Sequence, residues 1–275
     1  MNVLFIEQDI FISVSAALFT DQLGSSVRIS FPPQRIVSLV PSQTELLADL
    51  GLVDQVVGIT KFCIHPERWQ KAKTIVGGTK KFDFDRIRSL QPDLIIGNKE
   101  ENYQEGIQTL TAQFPVWMSD IVTLPDAMDM IRKVGQITNT AFKSEKISTD
   151  IESSFSKLNK LPSLRTLYLI WKSPWMAAAP GTFIHEMMNL SGLVNCFDRE
   201  TRYPELNTEQ IKRLNPELIL LSSEPYPFKE KHIEELQQLC PDAKILLVDG
   251  EMFSWYGSRL LKFPGYLENL RKVLS

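Results

Sequence analysis

Aromatic side chains stand where loops are expected, and they pose the first chemical question. Trp171, Trp175, Tyr203, Tyr226, Phe228, Phe253, Trp255 and Tyr256 fall in stretches such as "WKSPWMAAAPGT", "SEPYPF" and "DGEMFSWYG". Loops are normally polar, and rings that converge at loop tips wall a site for a large, partly apolar ligand. Rings that do not converge simply pack onto their own lobe. Trp175, Tyr226, Trp255 and Tyr256 are the stronger ligand-binding candidates because each is bracketed by turn residues, and Phe62 and Lys99 join them from "TKFCIHP" and "NKEEN". A flat macrocycle with amide edges matches such walls. A strongly anionic chelate asks for more cations than Lys61, Lys99, Lys172 and Arg259 supply, although these four can read carboxylates.

His65 lies beside Cys63 in one loop, where either could be an axial ligand to a metal carried by the bound molecule. The commoner role of such a histidine is to brace its loop. No protein-held metal site is expected, and His185 and His232 read as structural residues on helices. Catalysis has little support. The chain has no GxSxG, no phosphate-binding loop, no HExxH and no paired histidines at ligand spacing, so it reads as a non-enzyme without a cofactor of its own.

The composition is that of a folded globular chain: 275 residues, 43% hydrophobic and 23% charged, with a net charge of -3. No basic run marks a nucleic-acid partner. Cys63, Cys196 and Cys240 are too dispersed for a disulfide framework or a zinc knuckle. Glu7 and Asp9 interrupt the apolar first twenty residues, and the first basic residue is Arg28, which makes a poor secretory signal. The run from Ile10 to Thr20 is too short to span a bilayer and reads instead as a strand entering a hairpin at "TDQLGSSVRI".

The elements that must position these residues are announced by a repeated phrase. "DRIRSLQPDLIIG" begins at Asp85 and "EQIKRLNPELILL" at Glu209, 124 residues later. Ile87/Ile211, Leu90/Leu214, Pro92/Pro216, Leu94/Leu218 and Ile95/Ile219 are identical in the two copies. Around each copy the pattern runs β-α-β-α-β-α-β, with short apolar strands that suit a parallel sheet covered on both faces. The expected fold is therefore α/β, with two similar lobes joined by one long backbone helix. Residues 1–20 form an extension, 21–121 the first lobe, 122–161 the linking helix and 162–275 the second lobe. From Pro125 to Lys160 that helix would reach roughly 50 Å at about 1.5 Å per residue and act as a stiff strut. Ser42 with Glu45, and Thr123 with Asp126, are expected to cap helix starts, while Gly51 and Gly192 close helices. Ligands of such sheets bind beyond the carboxyl ends of the strands, where the aromatic loops lie.

With these features the chain resembles the substrate-binding proteins of class III ABC importers, the vitamin B12, haem and iron-siderophore group. It is most similar to the cobalamin-binding branch. The likeness is carried by "DQLGSSVRISFPPQRIVSLVPSQTELLADLG", "VGGTKKFDFDRIRSLQPDLIIG" and "GTFIHEMMNLSGLVNCF...YPELNTEQIKRLNPELILLSS". It implies a monomer that holds a cobalt corrinoid or an iron chelate between its lobes and delivers it to an ABC permease dimer. Trp255 falls where a comparable tryptophan of the branch lies. Asp85 and Glu209 match the family's acids that dock onto permease arginines, although an acid in a first helical turn is also stabilised by the macrodipole, by about 0.3–1 kcal/mol.

The chain departs from the family at its start. Family members are exported, whereas no signal or lipobox cysteine is readable here, which implies a cytoplasmic site of action if Met1 is the true start. Two alternatives accompany the corrinoid reading: iron-siderophore or haem binding by the same fold, and a chelatase-like two-lobe enzyme, for which His65 is the needed side chain.

Overall fold

Residue neighbours along the central strands face opposite ways and both find apolar partners, which is why these strands do not alternate in polarity. In the computed structural model, which describes residues 15–274, Leu94 and Ile96 enter a central hydrophobic cluster while Ile95 enters an outer one. Leu218 and Leu220 enter the same central cluster, and Ile219 and Leu221 a second outer one. The central cluster runs through both lobes, and each outer cluster belongs to one. A parallel sheet buried on both faces requires this arrangement.

The first lobe orders its strands Thr74–Ile75, Val56–Ile59, Ile36–Ser38, Leu94–Asn98 and Val116–Ser119, all parallel to their neighbours. In the second, Val194–Asn195, Arg165–Trp171, Leu218–Ser222 and Lys244–Val248 repeat that parallel order. It adds Trp175–Ala177, antiparallel to the end of Arg165–Trp171, and Glu205–Leu206 beyond it. The two-lobe α/β reading holds.

The repeated phrase is reproduced in atomic detail. Its helices, Phe84–Leu90 and Thr208–Leu214, end in Gln91 and Asn215, both left-handed at φ 44°. Arg35 Nε donates to the Leu90 carbonyl at 2.6 Å, and Arg165 Nη2 to the Leu214 carbonyl at 2.8 Å. Asp93 accepts the backbone N–H of Arg35, and Glu217 that of Arg165, each at 2.8 Å.

The linker differs from the expected single helix. It is two helices, Leu124–Ile137 and Ala141–Phe155, folded back on each other, with Arg132 bonded to Glu145 at 2.9 Å and Glu152 at 3.0 Å. The break is Thr138-Asn139-Thr140. Thr138 Oγ1 donates back to the Val134 carbonyl and Asn139 turns left-handed at φ 59°, as short polar side chains do when they compete with helical bonding. Gly135 lets the helices touch, since a Cβ there would meet Ser144 Oγ at 1.8 Å. The first helix of 14 residues spans only about 21 Å. Thr123 and Asp126 form their expected capping box.

Ser42 and Glu45 do not form theirs. Pro41 takes the first helical position of Pro41–Asp49, so the helix starts earlier and Glu45 turns elsewhere. Ser15–Thr20 pairs antiparallel with Ser26–Phe31, the expected hairpin, with its turn held by Asp21. The rest of the stretch read as a poor signal, residues 1–14, lies outside the described residues. Among the described residues no helix is long and apolar enough to cross a membrane.

Gly51 and Gly192 close their helices at φ +87° and +91°. At Gly192 a Cβ would also sit 2.9 Å from the Leu161 carbonyl oxygen. Gly192→Ala should therefore lower the unfolding free energy by about 1–2 kcal/mol, read as an earlier urea midpoint at unchanged slope.

Candidate functional site

The two lobes meet at loops that follow the carboxyl ends of their strands. Among the described residues side chains cross the junction from three first-lobe elements, the helix Pro41–Asp49 also accepting Ser258 Oγ through Asp49. From the loop after Val56–Ile59, His65 Nε2 reaches Glu251 Oε2 at 3.1 Å. From the helix Pro41–Asp49, Glu45 holds Arg259 through a two-pronged pair at 2.8 and 3.1 Å. From the loop after Leu94–Asn98, Glu100 accepts Arg202 Nη2 at 3.1 Å and also the Tyr203 hydroxyl.

Trp255 stands at the centre of this junction. His65 meets its ring edge-on at 5.6 Å, the Arg259 guanidinium lies over its face at 4.6 Å, and its indole N–H donates to Glu224 at 2.9 Å. Ser254 donates to the same Glu224 oxygen at 2.9 Å. Tyr256 is buried beside it, edge-on to Phe183. Its hydroxyl lacks a well-formed hydrogen bond, although Ser42 Oγ, equally unsatisfied, is a near polar neighbour.

The Glu100 loop is set by Asn98, whose Oδ1 accepts the backbone N–H groups of Glu100 at 2.8 Å and Glu101 at 3.0 Å. Asn98 is itself fixed by Ser119, which also receives Gln43. Glu101 is driven up to about 7, first by desolvation and then by Glu224 and Glu100, against a smaller opposing pull from Lys80. Desolvation likewise raises Glu224, Tyr203 and Tyr256.

The sequence-predicted residues divide. Trp255 and Tyr256 reach the junction. Phe62 is half exposed on the first-lobe loop, with Lys61 over its ring at 4.9 Å. Trp175 and Tyr226 are not brought to them. Trp175 stacks on Phe228 at 6.1 Å, Tyr226 packs against Trp171 and Phe228, and these contacts belong to the second lobe's own outer cluster. Lys99 pairs with Asp120 at 2.5 Å, Lys172 pairs with Glu235, and Arg259 is held by Glu45 and Glu251. Asp85 and Glu209 occupy matching first-turn positions, exposed, each paired among the described residues only to Arg88 or Lys212 of its own helix.

Cys63 is buried, hydrogen-bonded to Thr44 and Thr60, and its thiol is pushed up by desolvation. It is a packed core thiol. Among the described residues no group of three or more His, Cys, Asp or Glu side chains could hold a metal ion. Glu100, Glu101, Glu224 and Glu251 are junction residues that sequence reasoning did not name, and Tyr203 was among the loop aromatics but not among the stronger candidates. A pocket of about 510 Å³ lies away from the junction, on the first lobe between the hairpin and the segment from Ile107 to Met118.

Comparison with known proteins places this geometry. A vitamin B12-binding protein of Pectobacterium carotovorum subsp. carotovorum strain PC1 is 25% identical over 237 residues, covering 83% of this chain and 85% of its own. The crystal structure of the periplasmic vitamin B12 binding protein BtuF of Vibrio cholerae superposes with a TM-score of 0.71 at 22% identity, over 88% of this chain and 98% of that one. The periplasmic heme-binding protein RhuT of Roseiflexus sp. RS-1 superposes with a TM-score of 0.74 at 20% identity, over 88% and 97%. The sequence profile described as periplasmic binding protein matches residues 36–241, most of both lobes and the whole linker between them, so the chain belongs to that family.

Proposed function

We propose that the chain is the non-enzymatic substrate-binding component of an ABC importer and holds a corrinoid at the junction between its lobes. The observation that carries this reading is Trp255, a large ring buried between the lobes, with its indole N–H on Glu224, His65 at its edge and the Arg259 guanidinium over its face. Tyr256, Tyr203 and Phe62 are the neighbouring rings of that junction in this reading, and the likeness to a vitamin B12-binding protein supports a corrinoid as the ligand. Asp85 and Glu209 are the permease contacts in this reading. The chelatase alternative loses support because His65, the side chain it needs, is paired with Glu251.

Titration with cyanocobalamin should quench tryptophan fluorescence and shift the visible corrin bands. Trp255→Ala should weaken binding by about 30-fold, the size of a central aromatic anchor. A flat response to cyanocobalamin by both readouts would remove the corrinoid reading.

A further inference from the structure

Among the described residues the junction gathers the carboxylates of Glu45, Glu100, Glu101, Glu224 and Glu251, and its two arginines are committed to Glu45, Glu100 and Glu251. Glu224 stands 124 residues after Glu100, the offset that separates Asp85 from Glu209, so equivalent loops of the two lobes each bring a carboxylate to the junction, Glu100 to Arg202 and Tyr203 and Glu224 to Trp255. Glu101 adds a third. Among the described residues its carboxylate accepts no hydrogen bond and joins no ion pair, yet Glu100 and Glu224 are near enough to oppose its ionisation. The cations that would neutralise it are engaged. Arg202 is on Glu100, Arg259 on Glu45 and Glu251, Lys99 on Asp120, and Lys80 donates to the Glu100 carbonyl at 2.5 Å.

A second, independent observation points to a ligand. The Tyr256 hydroxyl is on a side chain only 5% exposed and makes no well-formed hydrogen bond, its near polar neighbour Ser42 Oγ being equally unsatisfied, and the charges of Glu101 and Glu100 act on it. A buried polar group left incomplete beside unpaired acceptors costs free energy unless something completes it.

We propose that Glu101 and the Tyr256 hydroxyl, with Glu224 across the junction, read N–H donors on the ligand's rim, so the site selects carboxamide-edged macrocycles and rejects carboxylate-edged ones. This rests on the corrinoid reading and adds a specificity to it. A carboxamide N–H offers Glu101 the donor it lacks, whereas a carboxylate in the same place meets Glu100, Glu101 and Glu224 with like charge.

The test uses the full chain and isosteric probes: cyanocobalamin, and its separate monocarboxylic acids in which one peripheral amide is hydrolysed. At pH 8 at least one monoacid should bind about tenfold more weakly than the parent, the scale of one charge-assisted hydrogen bond. Glu101→Gln should bring that monoacid back to within about threefold of the parent, and Glu224→Gln supplies a second variant with thermal melts as the folding check. The titratable and charged groups that couple to Glu101 are Glu100, Glu224, Lys80, Tyr203, Tyr256 and Cys63. Because Glu101 gains its proton as pH falls through about 7, and can then donate to a carboxylate, the discrimination should shrink at pH 6. Monoacids that all bind like the parent, or a weak monoacid indifferent to Glu101→Gln, would overturn the inference while leaving the corrinoid reading intact. If cyanocobalamin itself fails to bind, both fall.

Discussion

Arg259→Met should lower the unfolding free energy by about 3–5 kcal/mol, the cost of removing one partner from a buried pair. Arg259 and Glu45 are 6% and 8% exposed, and the guanidinium also holds Glu251 at 2.7 Å and covers Trp255. Without it, Glu45 keeps only the exposed Lys262 at 2.9 Å and Glu251 keeps only His65. Two carboxylates are then left in a low-dielectric junction. Replacing the acid as well, in Glu45→Leu with Arg259→Met, should recover part of the loss, because the Glu45 charge is gone while Glu251 still lacks its arginine. Urea unfolding of the two single variants and the double variant measures the coupling. A single-variant loss below about 1 kcal/mol would mean that water reaches the pair and that it behaves as a surface bridge.

That residue also shows where sequence reading stopped. Arg259 is one of four cations that the sequence offers as able to read carboxylates, and nothing local reveals that Glu45, 214 positions away, already holds it. The lobes themselves were legible, since Leu94, Ile95 and Ile96 recur as Leu218, Ile219 and Leu220 and fill the same layers. Periodicity reports such burial directly. The helix break was not, because apolar spacing resumes at Ile147 after a Thr-Asn-Thr segment whose effect is local hydrogen bonding. Trp175 and Trp255 look alike in sequence, each bracketed by turn residues, and only the strand Trp175–Ala177 folding back on Arg165–Trp171 separates a lobe's own packing from the junction. The acids had a readable signal. Extending the 124-residue offset from Asp85 and Glu209 to the next loop pairs Glu100 with Glu224.

Reversing Asp85 and Glu209 together, Asp85→Arg with Glu209→Arg, should leave cyanocobalamin affinity within about threefold of the parent and reduce permease-dependent uptake by more than tenfold, on the order of two lost charge contacts. Both side chains are exposed, at 93% and 68%, far more than their helices' packing requires. Their partners Arg88 and Lys212 are neighbours on the same seven-residue helices, so an incoming arginine can compete for each carboxylate without dismantling a tertiary contact. Losing the favourable first-turn charge costs each helix only about 0.3–1 kcal/mol, too little to unfold a lobe. The two acids serve one helix end each, so a purely structural role would show equal small stability losses and no change in uptake. A docking role would show the reverse: near-native melting, near-native ligand binding, and uptake by vesicles containing the permease lost in the double variant and partly kept in each single one. Raising salt should weaken parent docking while sparing ligand binding, because exposed charge pairs are screened and a stacked macrocycle is not.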